Sequence, residues 1–412
     1  MVTHTTKTGT LKMIAYIGPG LLVTAGFIDP GNWAANVAGA SHYGLGLLWV
    51  ITLSTLMLIV LQHNAAHLGI VTGLCLSEAS TKFFPKAASR IVLTSALAAA
   101  VSTALAEILG AAIGLQMLFG LPLRLGAIAV SVAVTLTILK NSYQNLERWV
   151  IGFVALIGLS FVFELSLVRT HWLAAAKGWC VPVIPKGSLP LIMGMLGAVV
   201  MPHNIFLHSE IIQSRHGNTT DETVTKKQLR YAFADTLFAM MVGWAINSAM
   251  IIVAASVFYT RGIVVTELNQ AQETLRPLVG NASALIFALA LLCAGFSSVI
   301  TAAVSGASIF AGIFQEPLDL TDSHSRLGAL LTIAGGLAAV FCVNNPFQGL
   351  ILSQVLLSVQ LPITIFALMY LTSSGTVMGK FKNTLFSKYV LWGIGLVISF
   401  LNALLVVQVF KK

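Results

Sequence analysis

Charge is what this sequence has least of. Of 412 residues only 9% are Asp, Glu, Lys or Arg, against about a quarter in a soluble domain. A soluble globule of this size could not cover its surface with so few. Cysteine is nearly as scarce. Cys75, Cys180, Cys293 and Cys342 lie far apart with no CxxC among them, which excludes a disulfide framework and a zinc ribbon. Of the four, Cys180 is the one placed in an outer loop. No basic stripe is interleaved with aromatics, so the net charge of +9 does not read as a nucleic-acid surface. Met1–Lys12 is polar and lacks a cleavable signal pattern. What the chain does have is apolar residue, 57% of it, with mean hydropathy +0.89. Long apolar runs of about 20 residues are membrane spans. They are helices rather than barrel strands, because such a run satisfies its own backbone hydrogen bonds.

Eleven runs are expected to span: 13–37, 47–66, 90–119, 126–139, 149–168, 189–213, 231–258, 284–314, 327–343, 350–371 and 389–409. With the N-terminus inside, fifteen of the 23 Lys and Arg fall in inner segments. This bias predicts a cytoplasmic N-terminus and an external C-terminus. The first and sixth runs are each interrupted by a helix breaker, Asp29-Pro30-Gly31-Asn32 in one and Met201-Pro202-His203-Asn204 in the other. Proline removes a backbone donor and clashes with the preceding turn. Broken helices at matching places in two halves point to a transporter's central site. Spans one to five (13–168) and six to ten (189–371) then form two inverted halves of one transmembrane domain, with 389–409 an addition.

Few acidic residues lie well inside spans: Asp29, Glu107, Glu164 and Asp235. An ionisable group in hydrocarbon is costly, so each is a functional candidate. Asp29 sits at the first break, and Asn32 adds an amide oxygen within one turn. Both are hard oxygen ligands for a divalent cation. At the second break Met201 offers a thioether. One turn earlier, the Ala198 carbonyl loses its helical partner because Pro202 has no N–H. A lone membrane Met is usually packing, and Asp-Pro-Gly-Asn is usually a turn. Buried in mid-span, however, a turn leaves the carboxylate unsolvated. Sulfur binds Mg²⁺ and Ca²⁺ poorly but accepts Mn²⁺, Fe²⁺, Co²⁺ and Cd²⁺, which points to a transition-metal substrate. His203 and His208 follow the second break and could carry protons near neutral pH. Glu164 and Asp235 read as neutral groups hydrogen-bonded between helices and stay outside the site.

These segments resemble the Nramp family of divalent metal transporters along nearly the whole chain. The resemblance rests on Gly18-Pro19-Gly20 with the first break, and on Gly197-Ala198-Val199-Val200 with the second break and Leu207-His208-Ser209. It extends to Leu68-Gly69-Ile70-Val71-Thr72-Gly73, and to Leu352-Ser353-Gln354-Val355 with Gln360-Leu361-Pro362. It implies an all-α fold of the LeuT type, a five-plus-five inverted repeat with eleven transmembrane helices. It implies uptake of Mn²⁺ or Fe²⁺, also Cd²⁺ or Co²⁺, coupled to protons. The metal ligands carry over to Asp29, Asn32, Met201 and the Ala198 carbonyl, joined in some states by Gln354. Glu107, His203 and His208 carry over to the proton pathway or gating network. The third span departs from the pattern. Thr103-Ala104-Leu105-Ala106-Glu107 has Ala104 where the family has an aspartate three residues before Glu107, on the same helix face. The ninth span opens with Ser323-His324-Ser325-Arg326, where the family has two arginines. The metal site is therefore expected intact, with an altered proton pathway.

Rival readings are weaker. His63-Asn64-Ala65-Ala66-His67 has the i, i+4 histidines of a zinc protease, but Asn64 stands where the general base must be. A sodium-coupled amino-acid symporter would not set Asp29 against a substrate carboxylate. A magnesium or broad-range divalent cation transporter would not keep Met201. An uncoupled metal facilitator is the closest alternative. Asn218-Thr219-Thr220 and Asn281-Ala282-Ser283 are chance matches to the glycosylation pattern. The expected protein is a multi-pass monomer of the plasma membrane lipid bilayer that needs no cofactor. Its partners are divalent metal ions and protons, with no nucleic acid.

Overall fold

The computed structural model describes residues 28–140, 143–215, 221–268 and 281–410. The first half of the first run, Gly18-Pro19-Gly20 and Asn218-Thr219-Thr220 lie outside the described residues. What is described is helical. The helices are α1 (Pro30–Tyr43), α2 (Leu48–Thr72), α3 (Leu76–Phe83), α4 (Lys86–Phe119), α5 (Leu123–Lys140), α6 (Tyr143–Leu167), α7 (Trp172–Cys180) and α8 (Leu189–Val199). They continue as α9 (Pro202–Arg215), α10 (Glu222–Val257), α11 (Asn281–Ile313), α12 (Ser323–Cys342), α13 (Pro346–Ser373), α14 (Gly375–Met378) and α15 (Leu385–Phe410).

The apolar runs sit inside these helices, but most helices begin earlier than hydropathy alone suggests. Polar caps explain the starts. Asp221 accepts the Thr223 N–H at 2.8 Å ahead of α10, and Asp322 accepts the His324 N–H at 3.0 Å ahead of α12. Asn345 accepts the Gln348 N–H at 3.0 Å ahead of α13, with Pro346 in its first turn. A cap satisfies donors that a helix start leaves orphaned, so the helix extends into polar sequence. Among the described residues nine stretches are long and apolar enough to span, α1 with α2 and α8 with α9 each counting as one, and 152–167 is a shorter apolar helix.

The packing repeats under a simple exchange. The long helices α4 and α11 form the most extensive pair, at the centre. Around them α1 packs on α10 as α9 packs on α2, α4 meets α5 as α11 meets α12, and α4 meets α13 as α11 meets α6. Swapping α1 for α9, α2 for α10, α4 for α11, α5 for α12 and α6 for α13 maps each contact onto another. Large exposed apolar side chains such as Leu136, Leu331 and Phe400 lie on the outer helices α5, α12 and α15, where hydrocarbon is their solvent.

Candidate metal site and its polar surroundings

Helices start where both prolines stand. Asp29 is extended, with φ −99° and ψ 163°, and its Oδ1 accepts the Asn32 N–H, so it caps α1 with Pro30 in the first turn. The positive end of a helix favours a carboxylate there. Across the centre α8 stops at Val199, Val200 and Met201 are non-helical, and Pro202 opens α9. Pro202 cannot donate to the Ala198 carbonyl, which leaves that oxygen at a helix end inside the protein. Asp29, Asn32, Ala198 and Met201 are all fully buried.

Three close approaches assemble the centre. A Cβ on Gly31 would stand 1.8 Å from Gln354 Nε2, so the Gln354 side chain lies against the α1 break. A Cβ on Gly197 would stand 2.0 Å from the Gln354 carbonyl oxygen, so α13 crosses the end of α8 at the same residue. Gln354 thus bridges the two breaks. A Cβ on Gly110 would stand 1.9 Å from Pro30 Cβ. That approach brings Glu107, one turn back on α4, to face the Asp29 carboxyl.

The electrostatics follow from the acceptors. Asp29 Oδ2, both Glu107 carboxyl oxygens and Gln354 Oε1 are buried with no N–H or hydroxyl donor, and the two carboxyl groups stand within hydrogen-bonding reach of each other. Buried acceptors are nearly always paired. Two carboxyl groups face to face out of water hold a cation between them, a proton or a metal ion. Met201 belongs to a small cluster with Ala99 and Leu357, and its sulfur accepts from Asn204 Nδ2 at 3.5 Å. The thioether is in place at the break but engaged locally.

Of the proton candidates, His203 Nδ1 lies 3.3 Å from Thr103 Oγ1, while neither His208 nitrogen has a partner. Both rings are fully buried. Ala104 is buried against α12, where a Cβ on Gly336 would stand 2.7 Å from Ala104 Cβ. The missing acid is therefore matched by a helix contact that leaves a side chain no space. His324 and Arg326 are not in the path. His324 Nδ1 pairs with Glu316 at 2.7 Å on a partly exposed rim, and Arg326 Nε donates to the Leu320 carbonyl at 2.9 Å. Glu164 lines an apolar cavity of about 20 Å³ with Trp33, Phe161 and Met250, room for one water.

Sequence reasoning missed an amide cluster. Asn247 Oδ1 accepts from Asn32 Nδ2 and, at 2.9 Å, from Asn36 Nδ2. Asn247 Nδ2 donates to the Gly243 carbonyl at 3.0 Å. The one signal was two amides, Asn36 and Asn247, inside apolar runs. His63 and His67 stack with ring centroids 6.2 Å apart. The group of three metal-ligating side chains that converge within 4.8 Å among the described residues is elsewhere, at Glu316, Asp322 and His324.

Known proteins resemble this chain in sequence and in fold. The family described as natural resistance-associated macrophage protein-like (Nramp) matches residues 20–408. A protein named divalent metal cation transporter MntH from Nostoc is 38% identical, covering 96% of this chain and 91% of its own. The Bacillus subtilis protein of the same name is 35% identical, covering 97% and 93%. Among solved structures, a variant of a manganese transporter from Eremococcus coleocola superposes with TM-score 0.84 at 29% identity, over 98% of this chain and 88% of that one. A transporter of the nucleobase-cation-symport-1 family shares the fold, with TM-score 0.64 at 17% identity over 90% and 81%.

Proposed function

Because the chain belongs to the Nramp family, and its relatives are named divalent metal cation transporters, we propose that it imports divalent transition-metal ions by alternating access. Mn²⁺ and Fe²⁺ are the physiological cargo, and Cd²⁺ and Co²⁺ also pass. The observation that carries this reading is the set of unpaired buried acceptors, Asp29 Oδ2, the Glu107 carboxyl and Gln354 Oε1, where the two helix breaks meet. A divalent cation answers Asp29 and Gln354, and a proton answers the Glu107 carboxyl that faces Asp29. Asp29, Asn32, the Ala198 carbonyl and Met201 are the ligands, and Gln354 joins as α13 moves. Met201 must turn from Asn204 to bind, which weakens the sulfur bond and helps release. The two inverted repeats, 13–168 and 189–371, rock about this point to open one side and then the other. The protein works as a plasma-membrane monomer with its N-terminus inside and its C-terminus outside. Binding is followed by translocation, with no bond made or broken, so it is no enzyme.

Protons accompany the metal, with Glu107, His203 and His208 in their path. A second reading, an uncoupled metal facilitator, is favoured by the closed contact between Ala104 and Gly336. Mn²⁺ uptake into proteoliposomes, with internal pH followed by a trapped dye, separates the two. Uptake with acidification supports coupling, and uptake without it supports the facilitator. Asp29→Ala should reduce uptake to the level of empty vesicles, and wild-type uptake in that variant would remove Asp29 from the site.

A further inference from the structure

Orphaned polar atoms do not stop at the centre. Below it, where α9 packs on α2, both His208 nitrogens, both ends of the Gln62 amide and His63 Nδ1 are buried without a hydrogen-bond partner. His208 and Gln62 are fully buried. His63 lies within electrostatic reach of His208. One turn on, His67 stacks on His63 with the rings 6.2 Å apart and 15° from parallel. His67 in turn lies beside Asn383 and the Phe381 backbone. Asn383 is itself anchored, its Nδ2 donating to Asn64 Oδ1 and Thr372 Oγ1, both at 2.9 Å. It sits between the exposed residues Lys382 and Thr384. Three imidazoles thus run in file from a dry helix interface to a wet edge.

We infer that His208, His63 and His67 form the route by which protons leave toward the α14–α15 connection, a path along α2 and α9 rather than along α4 and α12. The inference rests on the proton-coupled reading above. An imidazole accepts a proton on one nitrogen and releases another from the second, so a file of them passes a proton on, each ring then returning to its starting tautomer by a flip or by exchange through water. Buried polar atoms without partners need an explanation, and a proton relay using one bridging water per step gives these a use. A metal station is the poorer fit, because the three rings do not converge. The alternative route is closed at Ala104 by Gly336. Charged groups stand on the elements packed against the file. Lys380, on the connection that meets His67, is paired with Glu222 at 2.9 Å. Lys382 is exposed, and Asp235 stands buried on α10, the helix facing α2.

The experiment is Mn²⁺ uptake with a trapped pH dye for the wild type, His63→Gln, His67→Gln and His63→Glu. Wild-type acidification is expected, with protons delivered per Mn²⁺ falling by at least about tenfold in each glutamine variant. His63→Glu should restore most of it, because a carboxyl group also carries a proton. The restored ratio shows that the position folds and that ionisation is what matters. If the wild type acidifies and both glutamine variants keep its ratio, the histidine route is wrong while proton coupling stands. If the wild type takes up Mn²⁺ without acidification, coupling itself fails and the route falls with it. If the glutamine variants lose Mn²⁺ flux and protons in equal measure, the histidines serve the metal and the inference is overturned.

Discussion

A thioether at a metal site matters for what it turns away. Met201 supplies the one soft atom among the proposed ligands, so Met201→Ala should admit Mg²⁺ and Ca²⁺ while weakening Cd²⁺ binding by at least about tenfold, the scale of ligand-shell changes. Competition by Mg²⁺ and Ca²⁺ against Cd²⁺ binding measures it, and unchanged selectivity would sink the role given to the sulfur. Gly110 is the other decisive residue. Any Cβ there collides with Pro30, and overpacking of this kind costs about 1–3 kcal/mol. Gly110→Ala should lower the melting temperature and raise the KM for Mn²⁺, since relief comes from moving Pro30 and Asp29 away from Glu107. Asp29 was legible in the sequence because a carboxylate inside an apolar run declares itself. Gly110 was not, since glycine in a membrane helix is common and its partner is known only once two helices meet. Asn36 and Asn247 were hidden for the same reason, because a lone amide reads as packing until three of them share one oxygen.

Short α3 shows where hydropathy fails for whole elements. The stretch Leu76–Phe83 is neither apolar nor long, and nothing in its pattern announced a helix. Its role is in its contacts. Ser209 Oγ on α9 accepts the Leu76 N–H at 2.8 Å, and Gln213 Nε2 donates to the Gly73 carbonyl at 2.9 Å and to Glu78 Oε2 at 2.8 Å. On the far side Ser77 Oγ donates to the Ser308 carbonyl at 3.2 Å, and Thr81 Oγ1 donates to the Gly312 carbonyl at 2.8 Å. The element clamps α9 to α11 at the side proposed to face the cytoplasm. Cys75 lies buried in this clamp, and burial, then the Glu210 and Glu78 carboxylates, pushes its thiol well above the usual range. It should resist maleimide. Gln213→Ala removes two hydrogen bonds worth about 1 kcal/mol each, so Cys75 labelling should quicken by roughly tenfold or more. An unchanged rate would mean that the clamp does not hold the inner side shut. The spanning helices, by contrast, were visible as runs. Among the described helices several starts were misjudged, because capping by Asp221, Asp322 and Asn345 is a local bond that a hydropathy window averages away.

At the scale of the molecule the exchange of α1, α2, α4, α5 and α6 for α9, α10, α11, α12 and α13 was foreshadowed by two prolines in two runs. The matching contacts could not be, since they join segments hundreds of residues apart. Orientation is testable in intact cells. With Cys180 as the single cysteine, an impermeant maleimide added outside should label it, as an exposed residue in an outer connection must. Labelling only after the cells are opened would invert the topology. The last consequence comes from Asn247. Its single carbonyl oxygen takes hydrogen bonds from two residues of α1, Asn32 at the break and Asn36 one turn outward. If Asn32 offers its own oxygen to an arriving ion, as proposed, any swing of its amide group leaves Asn36 to keep the acceptor alone. Cargo and α10 would then compete for the same side chain. Occupancy of the proposed centre would be written directly into the grip between α1 and α10, registered before anything large has moved.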